Sequence, residues 1–220
     1  MRLLSTKKLS LKTKSTLQKS GIDVFEVPMI KTRLIDFKWP KIEDGIIISS
    51  STALRGILKH SQYNTLLKTP FYCVGTSTKI KILDLGLNVV ECQNSAEDLS
   101  NKIIKEYPNK TFNYFCGKQR LNTIEKLFKN NGVNLFLSEV YETKQAPVKI
   151  DSHYKGILFF SPSAVKSYAK NNSFNSKKCF SWGKTTAKEI VKYSTNYFVS
   201  KKPEINSLIS LIKKHTIIDD

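Results

Sequence analysis

Gly45-Ile46-Ile47-Ile48-Ser49-Ser50-Ser51-Thr52-Ala53-Leu54 returns 111 positions later as Gly156-Ile157-Leu158-Phe159-Phe160-Ser161-Pro162-Ser163-Ala164-Val165. Both copies are apolar runs that end in hydroxyl residues. Phe71-Tyr72-Cys73-Val74-Gly75-Thr76-Ser77-Thr78 is echoed by Cys179-Phe180-Ser181-Trp182-Gly183-Lys184-Thr185-Thr186 at an offset of 108. Upstream, residues 1–32 match 112–143 through Lys7/Lys118, Gly21/Gly132, Phe25/Phe136 and Thr32/Thr143. An offset that survives in separate segments implies two related domains, since solenoid repeats are far shorter. A chain of 220 residues divides naturally into two domains of about 100 residues.

Short apolar runs alternate with helical periodicity along the chain. Strands are expected at Leu3-Leu4, Val24–Val27, Ile46–Ile48, Tyr72–Val74, Asn88–Val90, Phe112–Phe115 and Leu135–Leu137. Three more follow at Ile157–Phe160, Cys179–Trp182 and Tyr197–Val199. Between them lie segments with apolar residues three and four apart, such as Leu99, Ile103, Ile104 and Leu121, Ile124, Leu127, Phe128. This alternation predicts parallel sheets covered on both faces. Ser95 three residues before Asp98, and Pro203-Glu204, are expected helix starts, while Gly86 and Gly132 suit left-handed helix ends.

Five strands per domain require the first two strands to join the last three. The expected partition is a discontinuous domain of residues 1–33 plus 146–220 and an inserted domain of 36–142. The polar, strand-poor stretches 31–38 and 142–151 then form the hinge linkers.

The formal charge of +18 suits a polyanionic partner, but 32 of the 36 basic residues are lysines scattered along the chain. No helix-turn-helix, RNP-like or zinc-finger pattern accompanies them, which argues against nucleic acid. No apolar run reaches the length of a membrane helix and the amino terminus turns polar at once, so a cytoplasmic protein is expected. Cys73, Cys92, Cys116 and Cys179 lack C-x-x-C spacing and read as reduced thiols, without metal. His60, His153 and His215 lie in polar surroundings and are expected at the solvated surface.

Ligands of open parallel sheets bind beyond the carboxyl ends of the strands. The hydroxyl-rich segments 49–52, 75–78, 161–163 and 183–186 fall at such strand-to-helix junctions, where unpaired N–H groups attract anions. Candidate binding residues are therefore Ser50, Thr52, Thr76, Ser161, Ser163, Lys184, Thr185 and Thr186, with Lys7 and Lys118 beside them. Gly183-Lys184-Thr185 is no phosphate loop, because Lys178 stands where that motif needs glycine.

In order and spacing, Phe159–Val165, Gly183–Ala187, Gly75-x-x-Thr78, Ser95-Ala96-Glu97-x-Leu99 and Glu139–Thr143 resemble the uroporphyrinogen-III synthase family, nearly end to end. Lys184 stands where the family often has proline, and Lys7 where it often has arginine. The resemblance implies an α/β fold of two flavodoxin-like domains, each a five-stranded parallel sheet flanked by helices, joined by a two-stranded linker.

It further implies a cofactor-free lyase that converts linear hydroxymethylbilane to uroporphyrinogen III, losing water and inverting the last pyrrole ring. The substrate, with an acetate and a propionate on every ring, offers a partner for the excess lysine. Loss of the terminal hydroxyl gives an azafulvene, which the substituted carbon of the last ring attacks through a spiro intermediate. Tyr141 matches the family tyrosine that assists this departure, and Thr186, Thr185, Ser161 and Ser163 match family groups beside the cleft whose role is to bind ring carboxylates, with Lys7, Lys118 and Lys184 as further candidates. A monomer that receives its substrate in a transient handover from hydroxymethylbilane synthase is expected. Two other readings stay open on the residues alone: a non-enzymatic two-domain receptor for an anionic ligand, and a nucleic-acid-binding protein.

Overall fold

A computed structural model describes residues 2–151 and 153–215. The chain opens with β1 (Arg2–Ser5), α1 (Leu11–Lys19), β2 (Asp23–Glu26) and β3 (Ile30–Leu34). It continues through β4 (Gly45–Ile48), α2 (Ser51–Leu58), β5 (Phe71–Val74), α3 (Thr76–Leu83), β6 (Val89–Gln93) and α4 (Ala96–Glu106). Next come β7 (Thr111–Gly117), α5 (Thr123–Asn130) and the long β8 (Asn134–Gln145). It closes with β9 (Gly156–Phe159), α6 (Pro162–Ala169), β10 (Lys178–Ser181), α7 (Lys184–Ile190), β11 (Tyr197–Val199) and α8 (Ile205–Lys214).

These elements form two compact units, Met1–Lys31 with Lys144–Asp220, and Thr32–Thr143. The first contains a five-stranded sheet in the order β11-β10-β9-β1-β2, parallel throughout. The second sheet runs β3-β8-β7-β4-β5-β6 and has six strands rather than the expected five. The extra strand is β3, hidden in the stretch expected to lack strands because Lys31, Thr32 and Arg33 are exposed and leave no apolar run. The Ile35 N–H bonds the Val140 carbonyl and Arg33 meets Glu142, so β3 runs antiparallel to β8. That second stretch is also partly strand, since β8 continues through Gln145.

The duplication survives as register. Ile157 faces Cys179 as Ile46 faces Phe71, whereas Gly156 faces Leu3 and Gly45 faces Phe112, two residues before Tyr114, the counterpart of Leu3. The order β2-β1-β9-β10-β11 therefore corresponds, strand for strand, to β8-β7-β4-β5-β6. The repeated glycine has a packing reason in both copies. A Cβ on Gly45 would fall 2.7 Å from the Tyr72 ring, and one on Gly156 would fall 2.8 Å from the Lys178 carbonyl.

Both faces of each sheet are covered, as the continuous apolar runs require. In the first sheet Leu4, Ile157, Phe159 and Cys179 pack beneath α6 and α7, while Leu3, Leu158 and Phe180 pack against α1 and α8. In the second, Ile46, Ile48, Phe71 and Cys73 meet α2 and α3, whereas Ile47, Tyr72, Phe112 and Tyr114 meet α4 and α5. Alternate residues go to opposite faces because the side-chain period of a strand is two.

Ser10, Ser50, Ser95 and Ser161 cap α1, α2, α4 and α6 by accepting backbone N–H bonds, each a contribution of about 1 kcal/mol. Gly86 and Gly132 have φ of 72° and 70°, as left-handed helix ends demand. Pro203 lies outside α8, because Glu204 is still extended and the helix begins at Ile205. Two histidines depart from the surface expectation. His60 packs 4.6 Å from the Trp39 ring, and His215 stacks on Phe198 at 3.8 Å, where burial and then Lys214 and Lys178 lower its pKa.

Candidate functional site

At the carboxyl edge of the first sheet one local device recurs. The buried strand-terminal serines Ser5, Ser181 and Ser200 each donate to the carbonyl two residues on, at Lys7, Gly183 and Lys202, over 2.6–2.7 Å. Such turns reverse the chain tightly and place the following residues along the edge. Lys7 is the best fixed of them. Its ammonium lies 4.2 Å from the Phe160 ring centre and 5.5 Å from that of Trp182, a cation–π contact on two strand ends.

Phe160 immediately precedes Ser161, and Trp182 precedes Gly183. Lys7 thereby joins the two hydroxyl-bearing junctions of this unit. Ser161 accepts the Ala164 N–H at 3.3 Å, which leaves its own O–H to donate elsewhere. Ser163 is half-buried in the first turn of α6. Lys184 and Thr185 are exposed at the start of α7, whereas Thr186 is only 4% exposed and packs inward.

The corresponding edge of the second sheet carries Ser50, Thr52, Thr76, Lys118 and Tyr141. Ser50 accepts the Thr52 N–H at 3.1 Å, and neighbouring Ser49 shares a 2.6 Å hydrogen bond with the Tyr114 hydroxyl. Thr76 is exposed in the first turn of α3, a helix capped by Gly75 without a side-chain bond. Tyr141 stands on β8 opposite Gly117, and its carbonyl accepts the Lys118 N–H at 2.8 Å. The Tyr141 ring is half-buried against the apolar cluster that contains Phe115 and Val140. Its hydroxyl meets no hydrogen-bonding side chain among the described residues, so its proton stays available.

Arg120, absent from the sequence-based candidates, organises this edge. Its guanidinium donates to the Gly117 carbonyl at 3.1 Å, to Glu125 at 2.6 Å and to Glu139 at 3.0 Å. Burial alone would lower its pKa, but the two carboxylates outweigh that and hold it charged. One signal could have found it: Arg120 is one of four arginines in a chain whose other basic residues are all lysine. A rigid fork at a strand end is the natural use for so scarce a residue type.

No cluster of three or more metal-binding side chains occurs among the described residues, and none of the described helices is long and apolar enough to cross a membrane. A family model for uroporphyrinogen-III synthase HemD matches residues 12–210. The chain belongs to the uroporphyrinogen-III synthase family. Its fold is similar to that of the uroporphyrinogen-III synthetase of Helicobacter pylori 26695, at a TM-score of 0.75 and 15% identity over 98% of this chain and 100% of that one. A mutant uroporphyrinogen III synthase of the extremely thermophilic bacterium Thermus thermophilus matches at 0.66 and 13% identity, over 100% of both chains. No curated protein sequence matches.

Membership makes the chain a lyase of tetrapyrrole biosynthesis, cyclising hydroxymethylbilane to uroporphyrinogen III. Its substrate is accordingly a small-molecule tetrapyrrole, as the family resemblance implied. The α/β architecture of parallel strands flanked by helices is that of the solved synthases.

Proposed function

We propose that the synthase reaction is carried by the carboxyl edges described above, with Tyr141 acting on the reacting end of the substrate. The terminal hydroxyl of hydroxymethylbilane leaves with a proton donated by the Tyr141 O–H, directly or through water. The azafulvene then meets the substituted carbon of the last ring, and the spiro intermediate opens to the inverted product. Because hydroxymethylbilane also closes spontaneously to the uninverted isomer, the protein's main task is to hold its shape.

Ring carboxylates are taken by Ser161, Ser163, Lys184, Thr185 and Lys7 of the first unit, and by Ser50, Thr52, Thr76 and Lys118 of the second; Thr186, expected among them, is buried behind Thr185 and drops out. The observation that carries this assignment is Lys7, held over Phe160 and Trp182 so that one cation adjoins both hydroxyl-bearing junctions. A fixed ammonium beside hydroxyl donors suits a carboxylate better than lysines spread through solvent.

The finer parts of the reading belong with it. The domains are 1–33 plus 146–220 and 36–142, linked by 31–38 and 142–151. The strand order of the first sheet, 2-1-3-4-5 within its unit, is the flavodoxin-like one, which supports that description. The protein acts as a cytoplasmic monomer, without nucleic acid or membrane, and receives its substrate by transient handover from hydroxymethylbilane synthase.

The test generates hydroxymethylbilane with that synthase, adds this protein, oxidises the products and separates the porphyrin isomers. Type III product from the wild type, falling when Lys7 or Tyr141 is replaced, supports the proposal. Wild-type turnover in both variants sinks the site assignment.

A further inference from the structure

The strands β5 and β6 start in simple register, with Phe71 opposite Val89. A register shift between Phe71 and Tyr72 then moves the pairing by one residue, so that Tyr72 meets Glu91 and Cys73 meets Cys92. Without the shift Cys73 would oppose Glu91 instead. Both residues belong to the cluster on the face that packs against α2 and α3, directly paired across the two strands. Cys73 is completely buried, while Cys92 retains partial access to solvent.

The duplicated unit sharpens the contrast. At the offset of 108, Cys73 and Cys92 correspond to Ser181 and Ser200, the serines that hold strand-end turns in the first sheet. The second unit has a thiol at each of those positions. The two remaining cysteines stand apart. Cys116 lies on the opposite face of the same sheet and donates to the Ser138 carbonyl, and Cys179 is buried in the other unit with its thiol toward the Lys177 carbonyl.

We propose that Cys73 and Cys92 form a peroxide-reactive dithiol that closes reversibly to a disulfide between β5 and β6. Neighbouring strands lie about 4.8 Å apart, within the Cα separations that a disulfide bridges. The substrate class is a hydroperoxide. The accessible Cys92 sulfur attacks its terminal oxygen, forming an S–O bond as the O–O bond breaks, which yields a sulfenic acid and releases water or an alcohol. The Cys73 sulfur then attacks the Cys92 sulfur. The S–S bond forms, the S–O bond breaks, and the departing hydroxide leaves as water with the Cys73 proton.

The order of attack follows from surroundings. Burial, reinforced by Cys92, pushes the Cys73 thiol up to about 12, so it stays protonated and waits as the resolving group.

The experiment treats the full-length protein with stoichiometric hydrogen peroxide, then alkylates free thiols in denaturant and maps peptides by mass spectrometry. The expected result is a fall from four alkylatable thiols to two, a peptide pair joining Cys73 to Cys92, and full reversal by dithiothreitol. Cys92→Ser, at a partly exposed position, should keep three alkylatable thiols after peroxide, and Cys73→Ser should leave a dimedone-trappable sulfenic acid at Cys92. Four thiols surviving peroxide, a bridge to Cys116 or Cys179, or sulfinic Cys92 beside an alkylatable Cys73 would each overturn the proposal. None of these readings depends on synthase activity.

Discussion

The ring of Tyr141 lies so close to Gly117 that a Cβ at position 117 would fall 2.5 Å from Tyr141 Cζ and 2.9 Å from its hydroxyl oxygen. Gly117 is paired with Tyr141 across β7 and β8, and the Arg120 guanidinium holds the Gly117 carbonyl. The position of the tyrosine is thus set by the absence of a side chain on its neighbour. Gly117→Ala must expel the ring, at a cost of about 1–3 kcal/mol in overpacking. We expect loss of type III product, with the thermal midpoint lowered by several degrees; unchanged isomer ratios would remove Tyr141 placement from the mechanism.

Tyr141→Phe keeps the ring in the same apolar cluster and deletes only the hydroxyl. Since that oxygen bonds no described side chain, stability should hold within about 0.5 kcal/mol. Type III formation should drop by roughly 10²-fold, the lower range for a lost general acid. Single-turnover isomer analysis, with a thermal melt on the same sample, separates the two effects.

Ser161 and Thr185 should respond differently to truncation. Ser161→Ala removes the α6 cap as well as a hydroxyl, so stability falls by about 1 kcal/mol and the KM for hydroxymethylbilane rises. Thr185→Ala, at an exposed position, should raise KM severalfold with no change in urea midpoint. Equal KM for Thr185→Ala and wild type would confine that threonine to the surface.

Glu26 sets a pH window. Burial raises its pKa, but the Lys14 ammonium at 2.7 Å and the Leu9 N–H at 2.6 Å outweigh that and hold the carboxyl below 4.5. A depressed folded-state value gives stability that is complete above the unfolded value and is lost as pH falls through the folded one. Glu26→Gln should therefore be less stable than wild type at neutral pH, with the gap closing as pH falls below 4.5 and through the lowered folded-state value. Urea midpoints across that range check it, and a gap independent of pH would contradict it.

Ten strands were legible because each carries a short apolar run, and the central ones, Ile46–Ile48 and Ile157–Phe159, are completely buried. β3 was not, because its middle residues face solvent and carry Lys31 and Arg33. The junction residues were legible as hydroxyls after apolar runs, yet their consequences differ. Thr186 points into the core, Thr185 to solvent, and only packing separates two adjacent threonines on one helix. Lys7 could be suspected by its match with Lys118 and by the arginine the family often has there; its seat on Phe160 and Trp182 joins residues more than 150 positions away.

The amino-acid sequence by itself determined the duplication, the alternation of strand and helix, and the family, because periodicity and motif spacing are properties of neighbouring residues. Tertiary structure alone decided who faces whom. Gly117 under Tyr141, Arg120 between Glu125 and Glu139, and Cys73 opposite Cys92 all depend on strand register. Register is fixed by how whole faces pack, and a shift of one residue between β5 and β6 was enough to set one thiol against another.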